Sequence, residues 1–328
     1  MSNLKNIAIL AGGNSSEEGI SLKSAAQIAN WLDKEKYNVF RILVKGVNWT
    51  IKHEEFGDIP VSKDDFSAIV KGKKVTFDCA LIAIHGTPGE NGLLQAYFEL
   101  MGVPYTTGGV LSSSATFNKD VCKLMVQSTG VNLAKGIKIT KGEDISSKTI
   151  AEKLGLPVFV KPNESGSSYG VSKVKDEKDL IPAIEKAFTE DNTVLIEEFI
   201  AGRELSSGVI KTKDKTLLLP ITEIVPKNEF FDYNAKYLNQ SEEITPARVS
   251  PEIAVRAQEL SSKIYDVLDC RGIARVDYIL SNDKLYFLEI NTVPGMSETS
   301  IIPQQVKAMG KEMKEIFGLV IEDAIARK

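Results

Sequence analysis

Arg275, Asp277, Glu289 and Asn291 are the residues whose types and spacing point most directly to chemistry. Gly272 to Leu280 reads G-I-A-R-V-D-Y-I-L and Leu285 to Thr292 reads L-Y-F-L-E-I-N-T. Both alternate as half-buried strands do, with residues two apart on one face. That puts Arg275 with Asp277 on the first strand, and Phe287, Glu289 and Asn291 together on the second. Ser281-Asn282-Asp283-Lys284 between them is polar and turn-forming. A hairpin centred on Asp283 sets Asp277 opposite Glu289 and Arg275 opposite Asn291. Three oxygen ligands and one guanidinium then share one patch of sheet, and burying it uncompensated would cost on the order of several kcal/mol. A hard divalent cation bridging to phosphate oxygens answers that cost, and Mg2+ suits carboxylate and amide oxygen. The plainer reading is an exposed hairpin with solvated salt bridges, which the apolar run around Leu288-Glu289-Ile290 disfavours.

Other segments supply complementary chemistry. Lys161 ends an apolar strand and is followed by Pro162-Asn163-Glu164-Ser165-Gly166-Ser167-Ser168-Tyr169-Gly170. Two glycines let backbone approach a ligand, and successive amides with the hydroxyls of Ser167 and Ser168 can cradle phosphate. Lys161 adds a point charge. This is not the G-x-x-x-x-G-K-[ST] loop. Lys119 opens a helix and gains meaning only beside that loop. Alternation puts Glu197 and Phe199 on one face, where an apolar groove with a carboxylate at its rim suits an adenine base; Glu204 suits ribose hydroxyls. His85-Gly86-Thr87-Pro88-Gly89-Glu90-Asn91-Gly92 follows a buried strand at its C-terminal end, where α/β sheets bind ligands. Asn228 to Gln240 is long, polar and aromatic, as lids are, and carries Lys236 and Tyr237 for a small anionic substrate. Pro294 to Ser300 precedes the last helix, so its backbone amides can face an anion; Ser300 sits near that helix start, where a simple cap is the plainer reading.

The elements that must position these residues fall into three units. The first alternates strand and helix: a strand at Ile7 to Leu10, a helix from Ser21 to Leu32 with Ser21 as its cap, strands at Val39 to Val44 and Cys79 to His85, and a helix from Gly92 to Met101. This is a βαβ pattern with a parallel sheet. The second has a helix from Lys119 to Ser128, strands at Val158 to Lys161 and Thr193 to Phe199, and a helix from Asp179 to Phe188. The third has strands at Leu205 to Ile210, Thr216 to Val225, Arg275 to Leu280 and Leu285 to Thr292, and helices from Pro251 to Leu268 and Gln304 to Ala326. The fold class is α/β followed by α+β, divided at 1–111, 112–200 and 201–328.

Bulk properties exclude several classes. The 328 residues allow two or three domains, and 43% hydrophobic with 26% charged residues is ordinary for a soluble protein. Forty basic against 44 acidic residues give a net charge of -4, so no nucleic-acid partner is expected. Cys79, Cys122 and Cys270 are scattered and fit buried thiols in a reducing compartment. No apolar run reaches membrane-span length and the N-terminus runs straight into a strand, so no membrane partner and no signal peptide are expected. The expected location is cytoplasmic.

Together these segments closely resemble the D-alanine–D-alanine ligases of the ATP-grasp superfamily. The resemblance covers essentially the whole chain. H-G-T-P-G-E-N-G, V-K-P-N-E-S-G-S-S-Y-G, D-Y-N-A-K-Y and E-I-N-T-V-P-G-M-S carry it. It implies a three-lobed ATP-grasp fold with an N-terminal Rossmann-like domain and ATP gripped between the other two lobes. It implies ATP and two Mg2+ ions, with Mn2+ as a substitute, and D-alanine as substrate for peptidoglycan precursors. A homodimer is compatible with it. By matching motif, Lys119, Lys161 and Ser168 contact ATP phosphates; Glu197 and Phe199 lie at the adenine and Glu204 at the ribose. Asp277, Glu289 and Asn291 hold the metal. Arg275 and the Gly295 amide face a developing oxyanion, and Ser167 and Tyr237 belong to a substrate network. Lys236 and Ser300 bind the second D-alanine's carboxylate, with His85 nearby.

One departure matters. The family reads E-x-E-V-S-L after its first glycine turn, and its second Glu grips the first D-alanine's ammonium. Here Glu17-Glu18-Gly19-Ile20-Ser21-Leu22 puts Gly19 at that position. Glu18, or Glu17, is expected to substitute. G-E-D-G is G-E-N-G here, with Asn91. Two alternatives follow: an ATP-grasp ligase acting on another carboxylate, or a nucleotide-binding homologue without turnover.

Overall fold

The computed structural model describes residues 4–53, 55, 57–144, 146–166, 169–226 and 241–327. β1 (Lys5–Gly12) is an apolar run buried from Ile7 onward, as a strand covered on both faces requires. It lies parallel to β2 (Tyr37–Lys45) and β7 (Cys79–Ile82), and α1 (Glu18–Trp31) makes the crossover from β1 to β2. The rest of this sheet departs from the parallel expectation. β3 (Asn48–His53), β4 (Gly57–Ser62), β5 (Ser67–Val70) and β6 (Lys73–Thr76) extend it as an antiparallel meander, in the order β6-β5-β4-β3-β2-β1-β7. α2 (Leu93–Met101) buries Leu94 and Phe98 against one face, while Ala25 and Ile28 of α1 pack on the other. Ser21 does not cap α1: Glu17 occupies that position. The buried Ser21 hydroxyl instead donates to the Ala83 carbonyl at 2.7 Å and accepts from the Gly12 amide at 2.9 Å. It clips the helix to both strand ends that lead into the site.

α3 (Val110–Phe117) and α4 (Lys119–Val126) follow, with the Asn118 side chain capping α4 through the Val121 amide. β8 (Asn132–Leu133) joins a later sheet. β9 (Gly136–Thr140), α5 (Ser147–Leu154), β10 (Val158–Pro162), β11 (Ser172–Val174), α6 (Leu180–Ala187) and β12 (Thr193–Glu198) build a four-stranded antiparallel sheet, order β11-β10-β12-β9. Val158, Val160, Val194 and Ile196 bury one face against α5 and α6; Phe159 and Lys161 take the other.

The last sheet runs β16-β15-β13-β17-β18-β8, with β14 beside β13. Its strands are β13 (Arg203–Lys211), β14 (Thr216–Leu218), β15 (Thr222–Pro226), β16 (Ser241–Ile244), β17 (Gly272–Ser281) and β18 (Lys284–Asn291). The strand expected over Thr216 to Val225 is two strands, because Pro220 has no amide to extend the ladder. α7 (Pro251–Val267) packs Ala257 and Ile264 on Leu205, Val209, Val276 and Tyr278. α8 (Ile301–Ala308) and α9 (Met313–Ala326) cover Ile210 and Ile273 on the opposite face and reach the core of α1 and β1. These were expected as one helix. Gly310 divides them with a φ of 73°, a left-handed stop.

The β17–β18 hairpin turns on Asn282 and Asp283, both at positive φ (46° and 60°), so Ser281 pairs with Lys284. Continued unbroken, that register would set Asp277 opposite Leu288. A one-residue slip at Leu288 restores the expected pairs, Asp277 opposite Glu289 and Arg275 opposite Asn291. The same bulge overturns one expectation. Phe287 does not share a face with Glu289 and Asn291 but enters the core with Leu285 and Ile290.

Ser21→Ala removes a buried group serving two backbone partners. It is expected to lower unfolding stability by about 1–3 kcal/mol, measured by urea denaturation; an unchanged midpoint would contradict that role.

Candidate functional site

The four-stranded sheet and the last sheet face each other across a cavity of about 450 Å³. Lys119, Lys161, Phe199, Glu204 and Glu289 all line it, so the structure brings together residues spread over 170 positions of sequence, from 119 to 289. Phe159, Val171, Ile200, Ile279 and Leu288 supply an apolar lining. The Phe199 ring lies 5.9 Å from that of Phe159 and carries the Lys173 ammonium 4.0 Å above its centre.

Two lysines stand at one end. The Lys119 ammonium donates to the Ser165 carbonyl at 2.6 Å, which stitches the start of α4 to the loop after β10. Lys161 is 2.5 Å from Glu197. Glu197 shares the cleft-side face of its strand but does not line the cavity. It lies buried beneath, between Lys161 and Lys123. Burial alone would raise its carboxyl; the two lysines outweigh that and hold it below the ordinary carboxylate range. Its structural work is to fix Lys161, which differs from the expected place against a base. Lys123 was missed, although its position one turn after Lys119 was a usable signal. Glu223 was also missed: Arg248 and Arg203 grip it at 2.8 and 2.9 Å, and those bonds hold its acid down at about 2.

The cavity's far wall carries the hairpin. Asp277 is buried and accepts from Arg275 at 2.8 Å and from Asn291 at 3.0 Å, so three of the four hairpin residues touch one another. Glu289 lies across the strand pair from Asp277 and opens to the cavity. The donor set is two carboxylates and one amide oxygen. Among the described residues no three His, Cys, Asp or Glu side chains form a metal cluster by themselves, so phosphate oxygens would have to complete the shell, as Mg2+ sites commonly require. The residues fit the ion in that mode.

Behind the hairpin is a second group. His85 is buried, and its Nε2 lies 3.3 Å from the Ser24 hydroxyl, which accepts from the Met296 amide beside Gly295. Burial lowers His85 to about 4, so it is neutral at pH 7. Ser300 sits at the N-cap of α8, but its hydroxyl does not cap the helix; it accepts from the Ser297 amide at 3.0 Å and lies 2.8 Å from the Ser297 hydroxyl. Of the two candidate acids at the start of α1, Glu18 lies in the first turn, half-buried. Glu17 is buried and points at the loop after β10: a Cβ on Gly166 would lie 2.3 Å from its Oε2. Glu90, unassigned from sequence, accepts from the Gly86 amide at 2.7 Å. Burial, then the charge of Glu17, raises its acid to about 8. Ser167, Ser168, Lys236 and Tyr237 lie outside the described residues.

Two facing sheets with a cleft between them, lined by two lysines and an acidic hairpin, are the architecture of an ATP-grasp ligase. Residues 6–108 match the family described as D-ala D-ala ligase N-terminus, and residues 125–322 match D-ala D-ala ligase C-terminus. A D-alanine--D-alanine ligase of Bacteroides fragilis (strain YCH46) is 48% identical over 320 residues, 97% of this chain and 99% of the relative. The structure of D-alanyl-alanine synthetase A from Vibrio cholerae superposes with a TM-score of 0.89 at 26% identity, covering 99% of this chain and 100% of that one. A Bacillus anthracis D-alanine--D-alanine ligase complexed with ATP gives 0.78 at 30%, covering 98% and 97%. The chain belongs to the D-alanine–D-alanine ligase family.

Glu90 keeps its proton in the folded protein at neutral pH, whereas the unfolded chain loses it above about 4.5. The stability it contributes is complete below about 4.5 and lost as pH rises through about 8. Glu90→Gln has no proton to lose. Its denaturation midpoint should exceed the parent's at pH 8, with the gap closing toward pH 4.5. A gap independent of pH would contradict this assignment.

Proposed function

We propose that this chain uses ATP to join two D-alanines through an acyl phosphate, in the cytoplasm, for peptidoglycan precursors. The observation that carries the reading is one cavity lined by Lys119, Lys161, Phe199, Glu204 and Glu289 together. It also supports three lobes divided at 1–111, 112–200 and 201–328. A homodimer is compatible with the reading and forms no part of it.

The apolar lining around Phe199 and Phe159 suits adenine, and Glu204 the ribose. Lys119 and Lys161 take the phosphates, with Ser168 from the same loop. Asp277, Glu289 and Asn291 would hold Mg2+, as two ions with Mn2+ as substitute. Such an ion, when bound, neutralises phosphate charge. The first D-alanine's carboxylate attacks the γ-phosphorus of ATP, the bond to the bridging oxygen breaks and ADP leaves, a step that needs mainly positioning and charge neutralisation. The second D-alanine's amine attacks the resulting acyl phosphate, and phosphate leaves. Arg275 and the Gly295 amide face the oxyanion of that step, where losing one such donor typically costs about 10²–10³ in rate. Ser300 and Lys236 receive the second substrate's carboxylate, with His85 a neutral neighbour, and Ser167 and Tyr237 complete the network. For the first substrate's ammonium we assign Glu17 in place of Glu18: it is the buried acid directed at the loop beside the lysines.

Phosphate release from ATP across an amino-acid panel tests the reaction. D-alanine-dependent release is expected. Preference for another amino acid would favour a different ATP-grasp ligase, and ATP binding without D-alanine-dependent release a homologue without turnover. Glu17→Gln should raise the D-alanine requirement about 10- to 100-fold and leave the KM for ATP unchanged. Gly19→Glu should change neither, because a side chain there leaves the helix with nothing within 4 Å of its Cβ. The opposite pattern would return the role to position 19.

A further inference from the structure

We propose that Ser206 is a positioning residue for Asp277, fixing the carboxylate plane that meets a divalent cation. The proposal rests on reading Asp277 as a metal ligand and goes beyond it, since it says what aims that ligand.

Ser206 lies on β13 directly across from Asp277 on β17. It is fully buried, and its hydroxyl donates to Asp277 Oδ1 at 2.6 Å. Arg275 Nε reaches Oδ1 at 3.0 Å and Oδ2 at 3.2 Å, and Nη2 reaches Oδ2 at 2.8 Å. Asn291 Nδ2 reaches Oδ2 at 3.0 Å. An ionised carboxylate offers about four lone-pair sites, so Asp277 is saturated by its neighbours. To ligate a cation it must shed a donor.

The three donors are not equally able to leave. Arg275 and Asn291 each have a partner of their own in the proposed reaction: the oxyanion for the guanidinium, the cation for the amide oxygen. Ser206 has no second place to go. Its carbonyl accepts from the buried Gln305 Nε2 at 2.9 Å, and the same amide donates to the Thr222 hydroxyl at 3.0 Å, which lies 2.6 Å from that of Thr245. Gln305 fits against β13 only because position 208 is glycine; a Cβ there would stand 2.4 Å from Gln305 Oε1. A buried amide on α8 thus anchors the strand, the strand anchors the serine, and the serine holds Oδ1. Oδ2 is the oxygen left to turn toward a cation when Arg275 and Asn291 move.

The experiment titrates Mn2+ into the full-length protein with ADP and reads free Mn2+ by electron paramagnetic resonance. Ser206→Ala should weaken Mn2+ binding about 10- to 100-fold, the usual loss when the partner of a metal ligand is removed. Metal-free ADP binding by calorimetry should not change. Ser206→Thr, which keeps the hydroxyl, should recover most of the Mn2+ affinity. A Ser206→Ala protein with lower Tm but unchanged Mn2+ affinity would reduce Ser206 to a structural serine and overturn the proposal. Asp277→Asn separates the two layers. If it also leaves Mn2+ affinity unchanged, the reading of Asp277 as a ligand falls; if it alone weakens binding, only the role of Ser206 falls.

Discussion

The one-residue slip at Leu288 is the constraint on which the site depends. Side chains alternate across a strand, so a register error of one residue sends every side chain beyond it to the other face. The two-residue turn at Asn282 and Asp283 alone would carry Glu289 into the core and Ile290 to the cleft. The bulge reverses that. It buries Leu285, Phe287 and Ile290 together while Asp277 faces Glu289 and Arg275 faces Asn291. The hydrophobic core and the polar site therefore enforce the same register: shifting it would strand a carboxylate among apolar side chains.

The charges around the cavity follow one rule: each buried ion has a partner that holds it in place. Glu197 sits between two lysines, Glu223 between two arginines and Asp277 within a fork from Arg275. Pairs of this kind add little net stability, since desolvation offsets attraction, but removing one partner is costly. Their value here is geometric: the Glu197 carboxylate fixes where the Lys161 ammonium sits at the cavity wall. Glu90 is the exception. Beside the charge of Glu17 it keeps its proton, which lets two acids occupy one corner without mutual repulsion.

Much of this was legible in sequence where local pattern and packing agree. The hairpin strands, the Lys161 loop and the parallel centre of the first sheet are short-range patterns with one hydrophobic solution. The cross-strand pairs were also legible, though by a different route: a hairpin centred on Asp283 gives the same partners at Asp277 and Arg275 as a tighter turn plus a bulge, and the face taken by Leu285 and Phe287 tells the two apart. What was not legible depends on tertiary partners. Ser21 has the profile of a cap and becomes an internal clip because Gly12 and Ala83 arrive from elsewhere. Glu17 and Glu18 are adjacent and alike; the loop at Gly166 distinguishes them. The meander over residues 48–76 was legible in part, since Trp49 with Ile51 and Ile59 with Val61 alternate as half-buried strands do; only the four-residue strands at Ser67–Val70 and Lys73–Thr76 are too short to stand out from loop. Glu197 alternates with Phe199 as expected, yet two lysines from other elements cover it.

The central claim is that Asp277, Glu289 and Asn291 converge on a metal-bound nucleotide between the two sheets. A crystal of the protein grown with ADP and Mn2+, with anomalous diffraction collected at the manganese edge, addresses it directly. The account predicts anomalous peaks within coordination distance of Asp277, Glu289 and Asn291, with the diphosphate alongside Lys119 and Lys161. Manganese bound elsewhere, with ADP in the cavity and Asp277 still closed on Arg275, would contradict it.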